Sequence, residues 1–219
     1  MHPADESVFD TAAYGYAQAA HYVGVPEKTL RRWAAEDGLI LPAGANSLSF
    51  NNLAEAHILK AMRKTHGLAL QGIRKALKEL QETCQSDHPL LAEEFETDGV
   101  GLCIRDADGV INLSKRSQRE FREFVSLYLH RIERDQSGRV ASFYPFIVAE
   151  KAAEPKSVSI NPTISFGKPV LAGTGISTSV IAGRFGARDS VEDLAREYGV
   201  SSVVLEDAIR WEMTKGKAA

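Results

Sequence analysis

The spacing of apolar residues changes several times along this chain, and each change marks an element. Leu70, Ile73, Leu77 and Leu80 recur every three or four residues and predict one amphipathic helix. Leu53, Ala56, Ile58, Leu59 and Met62 predict another before it, capped by Asn51 or Asn52. Tyr16–Val23 reads as a short helix rich in small residues. Gly24 breaks it, Val25 is apolar, and Pro26 opens a second helix that passes Trp33 and stops at Asp37-Gly38. Gly38–Pro42 and a polar turn, Gly44–Ser49, then lead to Phe50.

Farther along, Val100–Leu113 reads as two short strands joined by Asp-Gly chemistry. A helix over 114–127 sets Phe121, Phe124, Val125 and Tyr128 on one face and Arg116, Arg119 and Arg122 opposite. A hairpin follows, turning at Asp135–Gly138. The tail is expected to begin with a hairpin about Gly167-Lys168-Pro169. Three helices come next: one capped by Ser177, one over Ser190–Glu197, and one capped by Ser201. Tyr16–Trp33 and Val191–Trp211 share one pattern, in which a short helical run, a Gly-Val pair and a second run end in Trp.

Charge divides the chain. Across 219 residues with a net charge of -3, residues 14–83 and 113–156 are basic, 84–112 is strongly acidic and 157–219 is balanced. Ala152–Ser157 has the composition of a linker. The expected units are 1–83, 84–156 and 157–219. A weakly acidic whole excludes a general polyanion-binding surface, so any nucleic-acid contact must be local. The 44% hydrophobic and 25% charged content is that of a globular protein. There is no 18-residue apolar run, and MHPADESVFD does not read as a secretion signal. Two cysteines, Cys84 and Cys103, make no disulfide framework. The expectation is a cytoplasmic protein away from membranes.

Ala20, Gly24 and Leu30 occupy the positions that a helix-turn-helix constrains most: a close helix crossing, a left-handed turn and an apolar anchor. Lys28, Thr29, Arg31 and Arg32 remain on the outside, able to reach phosphates and base edges in a major groove. The competing reading is a helical hairpin with a solvated basic face. Groove binding requires Arg31 and Arg32 to be neither buried nor locked by carboxylates.

With Ala19-Ala20, Gly24-Val25, Thr29–Trp33, Gly38–Pro42, Phe50–Leu53 and Gly67–Arg74 in order, residues 14–80 resemble the MerR family of winged helix-turn-helix regulators. The resemblance implies DNA contacts from Gln18, Lys28, Thr29, Arg31, Arg32, Asn46 and Ser47. Two features depart from it. The wing, Asn46–Ser49, lacks the arginine usual in the family, which should flatten the salt dependence. The family's long dimerisation helix and effector domain are missing.

The segment from about 158 to 213, with Ile164, Gly167-Lys168-Pro169-Val170, Gly173-Thr174-Gly175-Ile176 and Glu197-Tyr198, resembles domain of unknown function family 433. Gly175 stands where that family usually has Arg. Gly167-Lys168 is not a phosphate-binding loop, because Pro162 and Pro169 replace the required glycine and hydroxyl residue. The combination is similar to VapB-type antitoxins. The fold this implies is mainly α with small β elements: a winged helix-turn-helix, a middle α+β segment with hairpins, and a three-helix, helix-turn-helix-like tail. The implied partners are double-stranded operator DNA, a PIN-like ribonuclease toxin and a second copy in a homodimer. Candidate toxin contacts are Arg184, Arg188, Arg210, Lys215 and Lys217 in the tail and Arg116, Arg119 and Arg122 in the middle. The six histidines lack metal-ligand spacing, and no catalytic residues, cofactor or metal site are expected. Two alternatives stay open: a stand-alone regulator whose tail oligomerises or binds a ligand, and a protein-interaction scaffold.

Overall fold

The computed structural model describes residues 7–64, 70–92, 95, 115–148, 150–151 and 153–214, with backbone alone for Ser7, Thr83, Cys84 and Lys115–Ser117. The expected strands at Val100–Leu113, most of the acidic stretch, and Lys215 and Lys217 lie outside the described residues.

A four-residue helix α1 (Ser7–Asp10) leads to strand β1 (Tyr14–Gly15) and helix α2 (Tyr16–Val23). Gly24 closes α2 in the left-handed region, φ 71°, with its own N–H and that of Val25 on the Ala20 carbonyl. Helix α3 covers Glu27–Arg31 and continues as a π-helical stretch, Arg32–Glu36. The N–H groups of Leu39 and Ile40 then return to the Trp33 carbonyl, closing the helix. The wing strand β2 (Ser47–Leu48) pairs instead with β1, Tyr14 opposite Leu48 and Gly15 opposite Ser47.

Helix α4 (Phe50–Lys64) is capped by Ser49, not by Asn51 or Asn52: Ser49 Oγ accepts from Asn52 N–H and Asn52 Oδ1 accepts from Ser49 N–H, a reciprocal box. Every residue from Asn52 to Leu59 is buried. A helix enclosed all round is the hub of a core. Its neighbours are α1, α2, the 3-10 turn Pro89–Leu91 and α6 (Lys115–Leu129). Its buried polar groups are matched. His57 shares a 3.1 Å hydrogen bond with the Tyr128 carbonyl, and Glu55 meets His88 at 2.9 Å. Helix α5 (Leu70–Cys84) buries Ile73, Leu77 and Leu80 of the predicted stripe and Ala76 beside them, while Leu70 is half-buried.

Phe121, Val125 and Tyr128 carry α6 onto α4, and each such buried side chain stabilises by roughly 1.5–3 kcal/mol. Strands β3 (Ile132–Arg134) and β4 (Val140–Phe143) form the hairpin around Asp135–Gly138. Residues on both sides of the boundary expected near residue 83 share one core running from Phe9 to Ile160. The expected linker is bolted down as well. Arg131, 3% exposed, donates to the carbonyls of Tyr144, Pro145, Glu154 and Pro155.

In the tail, β5 (Val158–Ser159) pairs with β6 (Val170–Leu171). This pair is the expected hairpin, and residues 160–169, with Gly167-Lys168-Pro169, connect its strands. Ser165, Phe166 and Gly167 make a left-handed turn, φ 48°, 56° and 72°. Helices α7 (Thr178–Gly186), α8 (Val191–Tyr198) and α9 (Ser202–Met213) follow as predicted. Ser190 and Ser201 cap α8 and α9. Ser177 stands at the start of α7, but its hydroxyl meets Ser179 rather than a backbone N–H. A second core of Leu171, Ile181, Leu194, Leu205, Ala208 and Ile209 holds these helices. Trp211 leaves it for the first core, its ring 4.7 Å from His21 and 6.1 Å from Tyr22.

Candidate nucleic-acid interface

Leu30 and Trp33 anchor α3 in the core, which leaves Lys28, Arg31 and Arg32 outside at spacings of three and four residues, on one face. Lys28 is exposed and has no partner among the described residues. Arg31 meets Glu27 at 2.7 Å and lies 4.5 Å from the Tyr16 ring centroid. Arg32 meets Asp37 at 3.3 Å. The two arginine side chains are 49% and 45% exposed, so neither is walled off. The Arg31–Glu27 pair is exposed on both sides and worth about 0–1 kcal/mol, whereas Asp37 is largely buried and also meets Arg74.

The family model described as "MerR HTH family regulatory protein" matches residues 14–80, from β1 into α5. Residues 14–80 are a MerR-type helix-turn-helix domain. "Protein of unknown function (DUF433)" matches residues 158–211, from β5 to Trp211. The chain is 28% identical to "Putative antitoxin VapB45" of Mycobacterium tuberculosis, over 92% of this chain and 94% of that one. It is 23% identical to "Uncharacterized protein Rv2308" of the same organism, over 93% and 91%. Among solved structures, the crystal structure of Rv2018 from M. tuberculosis matches with a TM-score of 0.71 and 26% identity, covering 92% of this chain and 99% of that one.

Around the MerR-type reading helix, the remaining sequence candidates fall on two elements. Gln18 is exposed on α2, its amide donating to the Tyr22 hydroxyl at 2.9 Å. Asn46 is exposed at the wing tip, and Ser47 is half-buried, its backbone bridging Gly44. Thr29 is half-buried on α3. Glu27 and Asp37 were missed as counter-charges, although the i,i+4 spacing of Glu27 and Arg31 announces the first. Arg74 was missed too. From α5 it donates to the Asp37 carbonyl at 2.7 Å and ties α5 to the end of the reading helix.

The tail repeats the MerR-type turn. Ala195, Gly199, Val200 and Leu205 stand at the same spacing as Ala20, Gly24, Val25 and Leu30. Gly199 is likewise left-handed, φ 66°, with the Val200 N–H on the Ala195 carbonyl. The positions of Lys28, Arg31 and Arg32 are taken there by Val203, Glu206 and Asp207. The second unit keeps the frame and lacks those cations.

The other cations differ in availability. Arg184 is held by Asp189 at 2.6 Å, Glu197 and Tyr198, contacts that push its pKa further up. Arg210 pairs with Asp207 at 2.8 Å. Arg188 is exposed at φ 77°, and Arg119 and Arg122 are exposed on α6, whereas the Arg116 side chain lies outside the described residues. Among the described residues no three His, Cys, Asp or Glu converge as a metal site, and no helix is long and apolar enough to cross a membrane.

Proposed function

We propose that this chain is a DNA-binding antitoxin that represses its own operon and neutralises a PIN-like ribonuclease toxin. The observation that carries the reading is a likeness to VapB45 spanning nearly both chains, joined to a MerR-type helix that presents Lys28, Arg31 and Arg32 to solvent. In this reading α3 lies in the major groove, with Lys28, Thr29, Arg31 and Arg32 at phosphates and base edges. Gln18 and the wing residues Asn46 and Ser47 contact the flanking backbone. Two copies bind palindromic half-sites. Such a toxin cuts RNA with clustered carboxylates and a divalent metal, and a cation offered by the antitoxin competes for that cluster. Arg119, Arg122 and Arg188 have no partner among the described residues and suit this role. Arg210 would first have to leave Asp207, and Arg184 three partners.

The test is co-expression of the full chain with the product of the neighbouring reading frame, alongside operator binding. Rescued growth, a co-purifying complex and salt-sensitive operator binding are expected. Operator binding without rescue or complex moves the function to a stand-alone regulator, and absence of both leaves a scaffold.

A further inference from the structure

We infer that the hollow between α5 and the turn closing α3 binds a small zwitterion, an ammonium and a carboxylate on one apolar body, as in an apolar α-amino acid. Helix α5, Glu55 of α4, the segment after α3 and the stretch leading into the 3-10 turn wall it in. They enclose about 330 Å³, within the usual range of ligand sites.

Glu55 supplies the first demand for a ligand. Its side chain is 2% exposed, and the bonds it makes, to His88 and from the Asn52 amide, both fall on Oε2. Oε1 has no donor among the described residues. A carboxylate oxygen taken out of water this far is normally met by a donor, because nothing else offsets its lost hydration. His88 sits between Glu55 and Asp10, so one positive charge faces two carboxylates and a net negative charge remains. Asp87 adds a further carboxylate to the lining, exposed and without a partner among the described residues.

The opposite charge comes from a single helix. Arg74, Lys78 and Gln81 lie on one face of α5, at spacings of four and three residues. Asp37 offsets Arg74, which it meets at 3.4 Å. Lys78 is exposed and has no partner among the described residues. Leu39, Leu77 and Pro89 give the lining its buried apolar part. A ligand with one charge would leave either the carboxylates or Lys78 unanswered. A zwitterion answers both, its ammonium at Glu55 Oε1 and Asp87 and its carboxylate at Lys78 and the Gln81 amide. Seated there, it would touch Gly38 and Leu39 where α3 ends. The site is independent of operator reading, and failure of one leaves the other standing.

The full chain is titrated calorimetrically with L-leucine and L-phenylalanine. Among the comparison compounds, L-leucinamide lacks the carboxylate, N-acetyl-L-leucine lacks the ammonium and free glycine lacks the apolar body. Both amino acids are expected to bind, and each comparison compound to bind about tenfold more weakly or worse. Glu55→Gln should weaken both amino acids, but it also disturbs His88, so the deciding variants lie on the surface. Lys78→Glu and Asp87→Lys should each weaken both amino acids about tenfold or more and keep the unfolding midpoint. No binding of either amino acid at millimolar concentration overturns the inference. Equal binding of leucine, leucinamide and N-acetyl-leucine overturns it too, as does binding that survives both surface substitutions.

Discussion

The phenol of Tyr14 donates a 3.1 Å hydrogen bond to the carbonyl of Gly167, joining the strand beside the wing to the left-handed turn of the tail. A β-carbon on Gly167 would fall 2.0 Å from that phenol oxygen, and Gly167 has φ 72°. Gly167→Ala should therefore cost at least about 1–2 kcal/mol from the backbone alone. Tyr14→Phe should cost about 1 kcal/mol. Removing the hydroxyl relieves part of the clash, so the double variant should lose less than the sum in urea unfolding. Strict additivity would mean the contact is not formed.

Operator affinity should fall with salt, and the slope should report the number of phosphates met by cations. Lys28→Ala, Arg31→Ala and Arg32→Ala should each reduce the slope of log affinity against log salt by about one. Glu27→Gln frees Arg31 from a surface pair worth at most about 1 kcal/mol and should tighten binding by no more than about fivefold. A series of binding isotherms at increasing salt measures both.

His88 bridges Asp10 at 2.7 Å and Glu55 at 2.9 Å. Burial opposes its charge, but the bonds to Glu55 and then Asp10 outweigh burial and raise its pKa to about 9. Burial also pushes Glu55 up, against the opposing pull of His88. A histidine raised above its unfolded value of about 6.5 adds stability that is complete below that pH and is lost as pH climbs through 9. Urea unfolding between pH 6.5 and 9.5 should show a decline of up to about 3 kcal/mol, and His88→Gln should flatten it.

Trp211 is 3% exposed and packs against α2. Trp211→Ala should cost about 3–5 kcal/mol and speed proteolytic cutting near 151–156. An unchanged cutting pattern would mean that the tail is held by other contacts alone.

The helix-turn-helix was legible because its constraints are local. Ala20, Gly24 and Leu30 each answer one geometric demand, and both tail capping serines, Ser190 and Ser201, follow the same logic. Residues whose partners lie far along the chain were not legible. Ser49 outcompetes Asn51 and Asn52 because Asn52 also accepts from Ala43 and donates to Leu41, nine and eleven residues back. Periodicity gave α4 one buried face, while packing by α1, α2 and α6 buries every side of its middle. Arg131 reads as one more surface base until four distant carbonyls surround it. Of the candidate contacts, the α3 cluster could be read from spacing. The fate of Arg184 depends on Asp189, Glu197 and Tyr198, partners that spacing does not reveal.

Because the indole of Trp211 roofs the helix preceding α3, α2 and α9 are mechanically one piece. Trimming the chain from the carboxyl side past α9 would bare His21 and Tyr22 and loosen the foundation on which α3 stands. Damage at the far terminus would thus be felt at the operator.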